Sequence, residues 1–259
     1  GRDSALACYI AKRVADVREI PYTIVHINTG IRLPGVAEYV KQYVEWLCDG
    51  NCRYMELNAE VDYWEGVKRW GYPMLFHNRW CLKYLKRHSL FKFLRAEKVT
   101  IRDLVVMGIR REESLFRSTF DKTIYTYYYR EYGMWLRLWL PVLRLSSKQV
   151  AQLIRRFGIP ESPVWRVGIS GECICMAGMT RRTLDKIIYA YPDFAKQMAE
   201  KDREIQQTRR SGPAYPAPLW PLKITLHEYI EKKLSQPTLM DWMDYEGKAC
   251  QGSCMFPEP

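Results

Sequence analysis

The sequence lacks the features that mark several common protein classes. It has no stretch of about 18 apolar residues, so no membrane-spanning helix is predicted. The first residues do not show the basic, apolar and small-residue pattern of a secretion signal, and we therefore expect a cytoplasmic protein in a reducing compartment. There is no internal repeat, the 4 histidines form no metal-spaced cluster, and no Ser/His/Asp or Cys/His catalytic order is evident.

The composition indicates a folded protein with anionic partners. Of the 259 residues, 47% are hydrophobic and 14% aromatic, which suffices for one large α/β domain or for a core domain with a smaller appendage. The 40 basic residues against 29 acidic ones give a net charge of +11, which suits nucleotides, nucleic acid or an acidic protein. A solvated basic surface is the alternative. The tyrosines and the arginine at 125–130 can stack on bases and contact phosphates. They can equally be buried core residues with a solvent-exposed edge.

Strand-like and helix-like segments alternate in the first half of the chain. Strands are predicted at 22–27, 53–57 and 104–109, and helices at 4–17, 35–48 and 80–95. This alternation is typical of an α/β fold with a parallel sheet, which binds ligands beyond the carboxyl ends of its strands. Asn28-Thr29-Gly30 and Arg110-Arg111 both follow a predicted strand, so both are candidate ligand contacts.

The second half has a different pattern. Ser146 or Ser147 is expected to cap a helix that runs to about Phe157. Further helices are predicted at 183–207 and 226–234, with a proline-rich linker or arm at 211–221 between them. We therefore divide the chain into an α/β domain, 1–180, and a small helical, cysteine-bearing C-terminal region, 181–259.

The first four residues, Gly1-Arg2-Asp3-Ser4, lead directly into an apolar, alanine-rich helix. Free N–H groups and the helix dipole make a helix start a phosphate-binding position, and glycine permits close approach of the phosphate. An aspartate or serine that merely caps the helix is the alternative interpretation.

Eight cysteines include two pairs on loops of small residues. Thiolates of two such loops can converge on one tetrahedral site for an iron–sulfur cluster or zinc, and unligated thiols are the alternative. Cys48 and Cys52 are interpreted as packing at a helix end, with a redox pair as the alternative, and Cys8 as a core residue. The loop pairs are Cys173 with Cys175, and Cys250 with Cys254.

Five segments in order resemble the phosphoadenosine phosphosulfate (PAPS) reductase family of the adenine nucleotide α-hydrolase-like superfamily. The resemblance spans roughly residues 1–178. The matching segments are Gly1–Ser4, similar to the end of an SGGxDS loop; 25–30 with Pro34, similar to a DTG…P strand end; Gly71-Tyr72-Pro73 with Arg79-Trp80-Cys81 and Lys86; 107–114 with Arg117, similar to GIRRxES…R; and 141–150 followed by 158–168.

The resemblance implies a parallel sheet with helices on both faces and an adenine nucleotide, ATP or PAPS, at its carboxyl edge. It also implies that the first strand is missing from this chain. Arg110, Arg111 and Asp3 are the implied catalytic residues, with the two arginines as a clamp for phosphate or sulfate. A salt bridge of these arginines with Glu112 or Glu113 is the alternative. The implied nucleotide-binding residues are Gly1, Arg2, Asp3, Ser4, Asn28, Thr29, Gly30, Arg110 and Arg111.

The chain departs from the family pattern at three places. Asn28 stands where the family often has Asp, so this position lacks a carboxylate that could bind a Mg²⁺ ion beside the nucleotide. Arg2 stands where Lys is frequent. The ECGLH-type motif that supplies the cysteine nucleophile of sulfonucleotide reductases is absent; Glu172-Cys173 is its nearest echo.

The resemblance favours a [4Fe–4S] cluster near the nucleotide, with zinc as the alternative. Iron–sulfur members carry one cysteine pair where Trp80-Cys81 falls here and another where Cys173 and Cys175 fall. The preferred ligands are therefore Cys173, Cys175, Cys250 and Cys254, and the main variant replaces one of them with Cys81.

Three functions follow from the resemblance. The preferred one is attack on the α-phosphate of ATP with release of pyrophosphate, coupled to iron–sulfur-assisted sulfur transfer onto tRNA or DNA, with a sulfurtransferase as a partner. The second is reduction of a sulfonucleotide to sulfite with a thioredoxin-like donor. The third is a non-catalytic nucleotide-binding subunit of a larger assembly.

Overall fold

The computed structural model describes residues 1–48, 52–75, 78–169 and 174–236. Its first half alternates helices with strands, as predicted. The elements are α1 (Arg2–Arg18), β1 (Thr23–Asn28), α2 (Val36–Cys48), β2 (Arg53–Asn58), α3 (Tyr63–Trp70), α4 (Trp80–Leu82), a π-helical turn (Lys83–Arg87), α5 (His88–Ala96) and β3 (Leu104–Val106).

The second half contains a β-hairpin followed by helices. Within the described residues, no helix has the length and apolar character needed to cross a bilayer. The elements are a 3₁₀ turn (Arg111–Glu113), α6 (Leu115–Ser118), β4 (Ile124–Tyr129), a second 3₁₀ turn (Arg130–Tyr132), β5 (Met134–Trp139), α7 (Ser147–Arg156), α8 (Pro163–Arg166), α9 (Arg181–Ala190), α10 (Pro192–Thr208), a third 3₁₀ turn (Trp220–Leu222) and α11 (Leu226–Leu234).

The strands form one two-stranded and one three-stranded sheet. β1 pairs in parallel with β2, from Thr23 opposite Arg53 to Asn28 opposite Asn58. β3 pairs in parallel with one edge of β5, and β4 pairs in antiparallel fashion with its other edge. The predicted α/β class with parallel pairing is confirmed, whereas the antiparallel hairpin of β4 and β5 was not predicted. The expectation of a missing first strand stays a prediction.

Helices lie on both faces of the three-stranded sheet. Val106 of β3 packs on the main core, which contains Leu6 of α1, and the neighbouring Val105 packs on a second core, which contains Phe91 of α5. Alternate residues of a strand point to opposite faces, so α1 and α5 cover opposite sides of β3. In the second core, the rings of Phe91 and Tyr132 stack with centroids 4.0 Å apart.

Side-chain caps explain where several helices begin. Ser146 accepts a hydrogen bond from the backbone N–H of Gln149, whose side chain accepts one from the Ser146 backbone N–H, so Ser146 rather than Ser147 caps α7. Thr225 and Glu228 form the same reciprocal cap at α11. Each cap satisfies helix-end donors that would otherwise lack partners.

The single helix predicted at 183–207 is wrong. The segment forms two helices, α9 and α10, which meet at Tyr191. Proline has no backbone N–H and its ring fixes the backbone for a first helical position. Pro192 therefore ends one helix and begins the next.

The C-terminal helices pack on the same core as the N-terminal half. Leu184 and Ile187 of α9 belong to the main core together with Leu6 and Tyr63. The proline-rich segment is an arm against α3, since the backbone N–H of Tyr72 donates to the Pro213 carbonyl at 2.9 Å. The boundary near residue 180 stays a prediction, and the C-terminal stretch 237–259 lies outside the described residues.

Candidate functional site

The start of α1 presents its first turn without a side-chain cap. Gly1 is the N-cap residue, and its carbonyl accepts the hydrogen bond of the Ala5 N–H at 3.0 Å. Asp3 and Ser4 lie inside the first turn. The alternative in which an aspartate or serine caps this helix is therefore wrong. The assignment of Gly1–Ser4 to phosphate binding stays a prediction.

Gly108 brings the end of β3 against this helix start. A Cβ atom at Gly108 would collide with the backbone of Asp3 and Ser4. Glycine is required here because of this close approach of two backbone segments. The contact places the residues that follow β3 beside the first turn of α1.

We call the contact between the end of β3 and the first turn of α1 the junction. Arg110 is its central cation. Its side chain is 10% exposed, and its Nε lies 2.9 Å from Asp3 Oδ1 in an ion pair. Its Nη1 donates to Glu112 Oε2 at 3.0 Å. The Asp3 oxygen lies outside the direction of the Nε–H bond, and within the described residues this buried donor has no aligned acceptor. The alternative pairing of Arg110 with Glu112 is present, and the clamp role of Arg110 stays a prediction.

Arg111 points elsewhere. Its Nε and Nη2 donate to the Ser118 carbonyl at 3.2 and 2.9 Å, and the residue is exposed. Its backbone N–H donates to the Leu143 carbonyl at 3.0 Å. The two neighbouring arginines therefore have different surroundings, which their adjacency in the sequence does not reveal.

Two further arginines, Arg79 and Arg117, extend the cationic junction. Burial lowers the pKa of Arg117, Asp3 opposes that shift, and the positive charges of Arg110 and Arg79 lower the pKa further. Arg117 also pairs with Glu113. Neither arginine was predicted as a site residue, although both lie in the segments that carry the family resemblance.

Arg2 does not face this junction. Its Nη2 donates to the Trp165 carbonyl at 3.1 Å, and its guanidinium lies 5.6 Å from the centroid of a Trp165 ring. The side chain therefore fastens the start of α1 to α8. Any contact of Arg2 with a phosphate would come from its backbone N–H.

The ends of β1 and β2 form a polar turn. Asn28 Nδ2 donates to Glu56 Oε1 and to Asn58 Oδ1, both at 3.1 Å, and Asn28 Oδ1 accepts from the Gly30 N–H at 3.1 Å. Gly30 has φ of 73°, and a Cβ there would meet no atom within 4 Å. Thr29 is buried, and its hydroxyl donates to the Ile31 carbonyl at 3.4 Å. The predicted residues 28–30 thus form a compact turn with open space over the glycine.

Glu56 is a polar residue at this turn that sequence reasoning missed. Besides Asn28, it faces Arg32, whose Nη1 lies 3.7 Å from Glu56 Oε1, and His26, whose Nδ1 lies 3.6 Å from Glu56 Oε2. Alternation along β2 was its only signal, because the pairing with β1 that creates this cluster is non-local. Glu56 supplies a carboxylate next to the position where the family often has Asp.

A cleft of about 290 Å³ opens beside Gly30. Two aromatic rings, two basic residues and one acidic residue line it, which suits a planar ligand that carries negative charge. The lining residues are Gly30, Ile31, Arg32, Trp64, Phe194, Gln197, Met198, Glu200 and Lys201.

Cys81 and Cys175 lie together. Their Sγ atoms are 3.5 Å apart, Cys81 is buried at α4, and Cys175 is partly buried. The other predicted ligands, Cys173, Cys250 and Cys254, lie outside the described residues. Within the described part of the chain, no group of three or more metal-ligating side chains is present.

The remaining described cysteines are Cys8, Cys48 and Cys52. Cys48 and Cys52 form a disulfide between the end of α2 and the start of β2, so the two are bonded as well as packed at the helix end, and a redox role for the pair stays a prediction. Cys48 is also buried in the main core. Cys8 packs against the same core, and burial raises the pKa of its thiol to about 11.

Comparison with known proteins agrees with the resemblance. The family model described as the phosphoadenosine phosphosulfate reductase domain matches residues 1–205. Among solved structures, the chain is similar to the phosphate complex of phosphoadenylyl-sulfate (PAPS) reductase from Candida auris, with 13% identity, a TM-score of 0.46, and coverage of 66% of this chain and 77% of that chain. No curated protein matches the chain. Since the family match covers more than half of the 259 residues, the chain belongs to the phosphoadenosine phosphosulfate reductase family.

Proposed function

We propose that the chain is a cytoplasmic enzyme that binds ATP, adenylates a target with release of pyrophosphate, and assists sulfur transfer to that target. The observation that carries this proposal is the junction of the first turn of α1 with Arg110. Backbone N–H groups of Arg2, Asp3 and Ser4 and the buried guanidinium would bind phosphate oxygens from two sides. The open turn at Gly30 and the aromatic cleft beside it suit the nucleoside part of the ligand.

The proposed reaction has two displacements. An acceptor oxygen forms a bond to the α-phosphorus while the bond to the β-phosphate oxygen breaks, so pyrophosphate leaves with the electron pair. A sulfur nucleophile delivered by a sulfurtransferase then replaces the adenylated oxygen, and AMP leaves. Arg110, together with Arg79 and Arg117, would offset the charge that develops on the phosphate oxygens. Arg111 would join this clamp if its guanidinium left the Ser118 carbonyl.

Asp3 has a positioning role in this scheme. Its carboxylate holds the Nε side of Arg110 and leaves the Nη2 edge for a ligand. A bidentate guanidinium has to be fixed in orientation to select phosphate geometry. A Mg²⁺ ion, which commonly accompanies nucleotide phosphates, would find its carboxylate at Glu56 rather than at residue 28.

Cys81 and Cys175 are the proposed ligands from the described part of the chain for a [4Fe–4S] cluster or for zinc. The distance of 3.5 Å between their sulfurs suits two thiolates on one tetrahedral ion such as zinc, whereas cysteines of a [4Fe–4S] cluster bind different iron atoms and would have to lie farther apart. We propose that Cys173, Cys250 and Cys254 are the source of the remaining ligands. When bound, an iron–sulfur cluster would supply a group that handles sulfur and electrons. The contact favours the ligand variant that includes Cys81.

The second candidate is a sulfonucleotide reductase that releases sulfite with a thioredoxin-like electron donor. The description of the matching family favours it. The absence of an ECGLH-type motif argues against it, because that motif supplies the cysteine that takes the sulfur.

One experiment separates these candidates. Anaerobically purified protein is offered ATP or PAPS with a reducing thioredoxin system, and pyrophosphate and sulfite are both measured. We expect pyrophosphate from ATP, reduced at least tenfold in Arg110→Gln but unchanged in Arg155→Gln, an exposed arginine of α7. Sulfite without pyrophosphate would replace our proposal with the reductase. Nucleotide binding with neither product would favour a non-catalytic subunit.

Metal analysis and absorption test the thiol site. Anaerobic protein should contain iron and absorb at about 400 nm, and Cys81→Ser and Cys175→Ser should each lose most of that absorption. Cys8→Ser is the matched control, since Cys8 packs against the core away from the pair. A colourless protein with stoichiometric zinc would eliminate the cluster, and wild-type absorption in Cys81→Ser would eliminate the ligand role of Cys81.

A further inference from the structure

One face of the three-stranded sheet is only partly covered. Val106 of β3 packs on the main core beside α1 on this side, whereas the residues named below are exposed on the same face. In β5, Leu136 and Leu138 point into the second core, so Trp135 and Arg137 point to the opposite side. The register places Tyr128 opposite Trp135 and Thr126 opposite Arg137. We call the following set the open sheet face: Leu104, Ile124, Thr126, Tyr128, Trp135 and Arg137.

The open sheet face is apolar and aromatic. Trp135 is 53% exposed, Leu104 47%, and Tyr128 and Ile124 42% each. The rings of Tyr128 and Trp135 lie with centroids 5.0 Å apart and planes tilted by 36°. Contiguous exposed apolar surface of this kind marks interaction sites, and exposed rings offer flat surfaces for stacking.

The charge on this face is positive and uncompensated. The three strands contain no acidic residue, and their one charged residue is Arg137. Within the described residues, the Arg137 side chain has neither an ion pair nor a hydrogen bond. This combination of rings and a free guanidinium is complementary to a polyanion that carries planar groups.

The acidic residues that flank the strands already have partners. Asp121 accepts a hydrogen bond from the Tyr125 hydroxyl at 2.7 Å, and Asp103 accepts one from the Thr100 backbone N–H at 2.8 Å. Glu131 pairs with Lys83 at 2.6 Å. Lys83 therefore offsets the charge of Glu131 and the neighbouring Lys122 acts on Asp121, whereas Asp103 has only neutral donors. All three carboxylates lie outside the strands, so Arg137 remains the one charge on the face.

We propose that the open sheet face binds single-stranded nucleic acid. Bases stack on Trp135 and Tyr128, and Arg137 contacts a phosphate between them. A second copy of this chain is a poorer partner, because it would bring Arg137 of each copy to the same apolar interface.

One end of the open sheet face lies near the candidate nucleotide site. β5 runs parallel to β3, and its last residue, Trp139, accepts a hydrogen bond from the Met107 N–H at 2.9 Å, directly before Gly108. A strand of nucleic acid along β5 would therefore approach the junction at Arg110. That the bound strand is the acceptor of sulfur rests on the proposed function, whereas its binding does not.

Fluorescence polarisation of a labelled oligothymidylate of about twelve nucleotides tests this proposal. We expect full-length protein to bind it with an affinity that falls as salt rises. Trp135→Thr and Tyr128→Thr should each weaken binding about tenfold, and Arg137→Gln should weaken it and reduce the salt dependence. Trp46→Thr is the matched control, since Trp46 is also exposed and lies beside a tyrosine, but on α2.

Three results would overturn the proposal. The first is that folded protein does not bind the oligonucleotide. The second is that Trp46→Thr and Trp135→Thr weaken oligonucleotide binding equally. The third is that the protein is a dimer in light scattering, that Trp135→Thr dissociates this dimer, and that no oligonucleotide binds. Arg137→Gln keeps the test decisive if Trp135→Thr does not fold, because the Arg137 side chain is exposed and, among the described residues, makes no hydrogen bond or ion pair. The readout needs neither ATP nor metal, so it is independent of the enzymatic assay.

Discussion

Arg110 and Asp3 join the end of β3 to the first turn of α1 through an ion pair with 2.9 Å between Nε and Oδ1. Their side chains are only 10% and 14% exposed. Removal of Arg110 would leave the Asp3 carboxylate largely buried with only the charge of Arg117 acting on it, which is destabilising. Removal of Asp3 would leave Arg110 paired with Glu112 alone. The pair therefore contributes to the fold as well as to the proposed phosphate site.

A double-mutant cycle tests this coupling. Arg110→Gln should lower the free energy of unfolding by about 3 kcal/mol, and the double variant with Asp3→Asn should be less unstable than the sum, with a coupling of about 1 to 3 kcal/mol. Urea denaturation measures both quantities. The exposed pair Lys196 and Asp193 is the control, and its coupling should be below about 0.5 kcal/mol. Equal coupling in the two pairs would contradict the structural role.

Gly108→Ala should disrupt the same junction without removing a charge. The added Cβ has to displace the backbone of Asp3 and Ser4, and we expect a loss of about 2 kcal/mol in stability and weaker ATP binding. Gly178→Ala is the matched control, because a Cβ there meets only Leu75 side-chain atoms at 3.6 to 3.8 Å. Calorimetric binding of ATP and thermal unfolding measure the two effects, and equal behaviour of the two variants would refute the close contact.

Asp202 should be the most sensitive residue of α10. It is fully buried and accepts hydrogen bonds from the Tyr72 hydroxyl, Gln206 Nε2 and the His227 ring and backbone. Asp202→Ala removes the acceptor of the Tyr72 hydroxyl and of the His227 donors, whereas Gln206 keeps its bond to the Ala214 carbonyl. The variant should cost about 3 kcal/mol, measured by urea denaturation.

Glu204 of the same helix provides the comparison for Asp202. Glu204 pairs with Lys201 on the surface, and Glu204→Gln should cost less than about 0.5 kcal/mol. A loss of similar size in both variants would mean that the buried hydrogen bonds do not hold α11 in place.

The thiol of Cys8 should make the free energy of unfolding depend on pH. Burial raises the pKa of its thiol from 9.0 to about 11, with a hydrogen bond to Tyr43 acting in the opposite direction. The folded state therefore keeps the proton to higher pH than the unfolded chain, so the contribution of Cys8 to stability is complete below about pH 9 and is lost between about pH 9 and 11.

Unfolding of the wild type and of Cys8→Ala at about pH 8 and about pH 10.5 measures this effect. The wild type should lose about 2 kcal/mol more than the variant over that range. A constant difference between the two proteins would show that the thiol titrates alike in the folded and unfolded states.

Local patterns were enough to predict most of the N-terminal half. Helical spacing of apolar residues predicted a helix at 35–48, and the structure has α2 at Val36–Cys48. The apolar run at 22–27 was correctly assigned to a strand, which the structure places at Thr23–Asn28. These elements bury one face or one continuous run, which is the signal that sequence periodicity carries.

The β4–β5 hairpin escaped prediction for a physical reason. The run Tyr125 to Tyr129 combines rings that are half-buried with rings that are exposed, so hydrophobicity does not alternate along it. Its strand character comes from antiparallel pairing with β5 across the tight turn at Gly133, where φ is 58°. Such pairing becomes apparent only when both strands are considered together.

Motifs pointed to candidate site residues but not to the directions of their side chains. Arg110 and Arg111 look equivalent in sequence, yet one contacts Asp3 and the other the Ser118 carbonyl. Glu56 was missed because its neighbour Asn28 lies 28 residues away in the chain. Contacts of this kind depend on packing of distant segments, for which a single sequence has no local signal.

The hydrogen bond from Tyr72 to Asp202 spans 130 residues of sequence and has a consequence for the order of folding during synthesis. Tyr72 begins the segment that continues to Arg79 and Cys81. Its buried partner emerges from the ribosome much later, and the His227 that completes the cluster later still. The N-terminal strands and helices can therefore associate early, whereas the segment with Arg79 and Cys81 reaches its final position only after residues 202 and 227 have been synthesised.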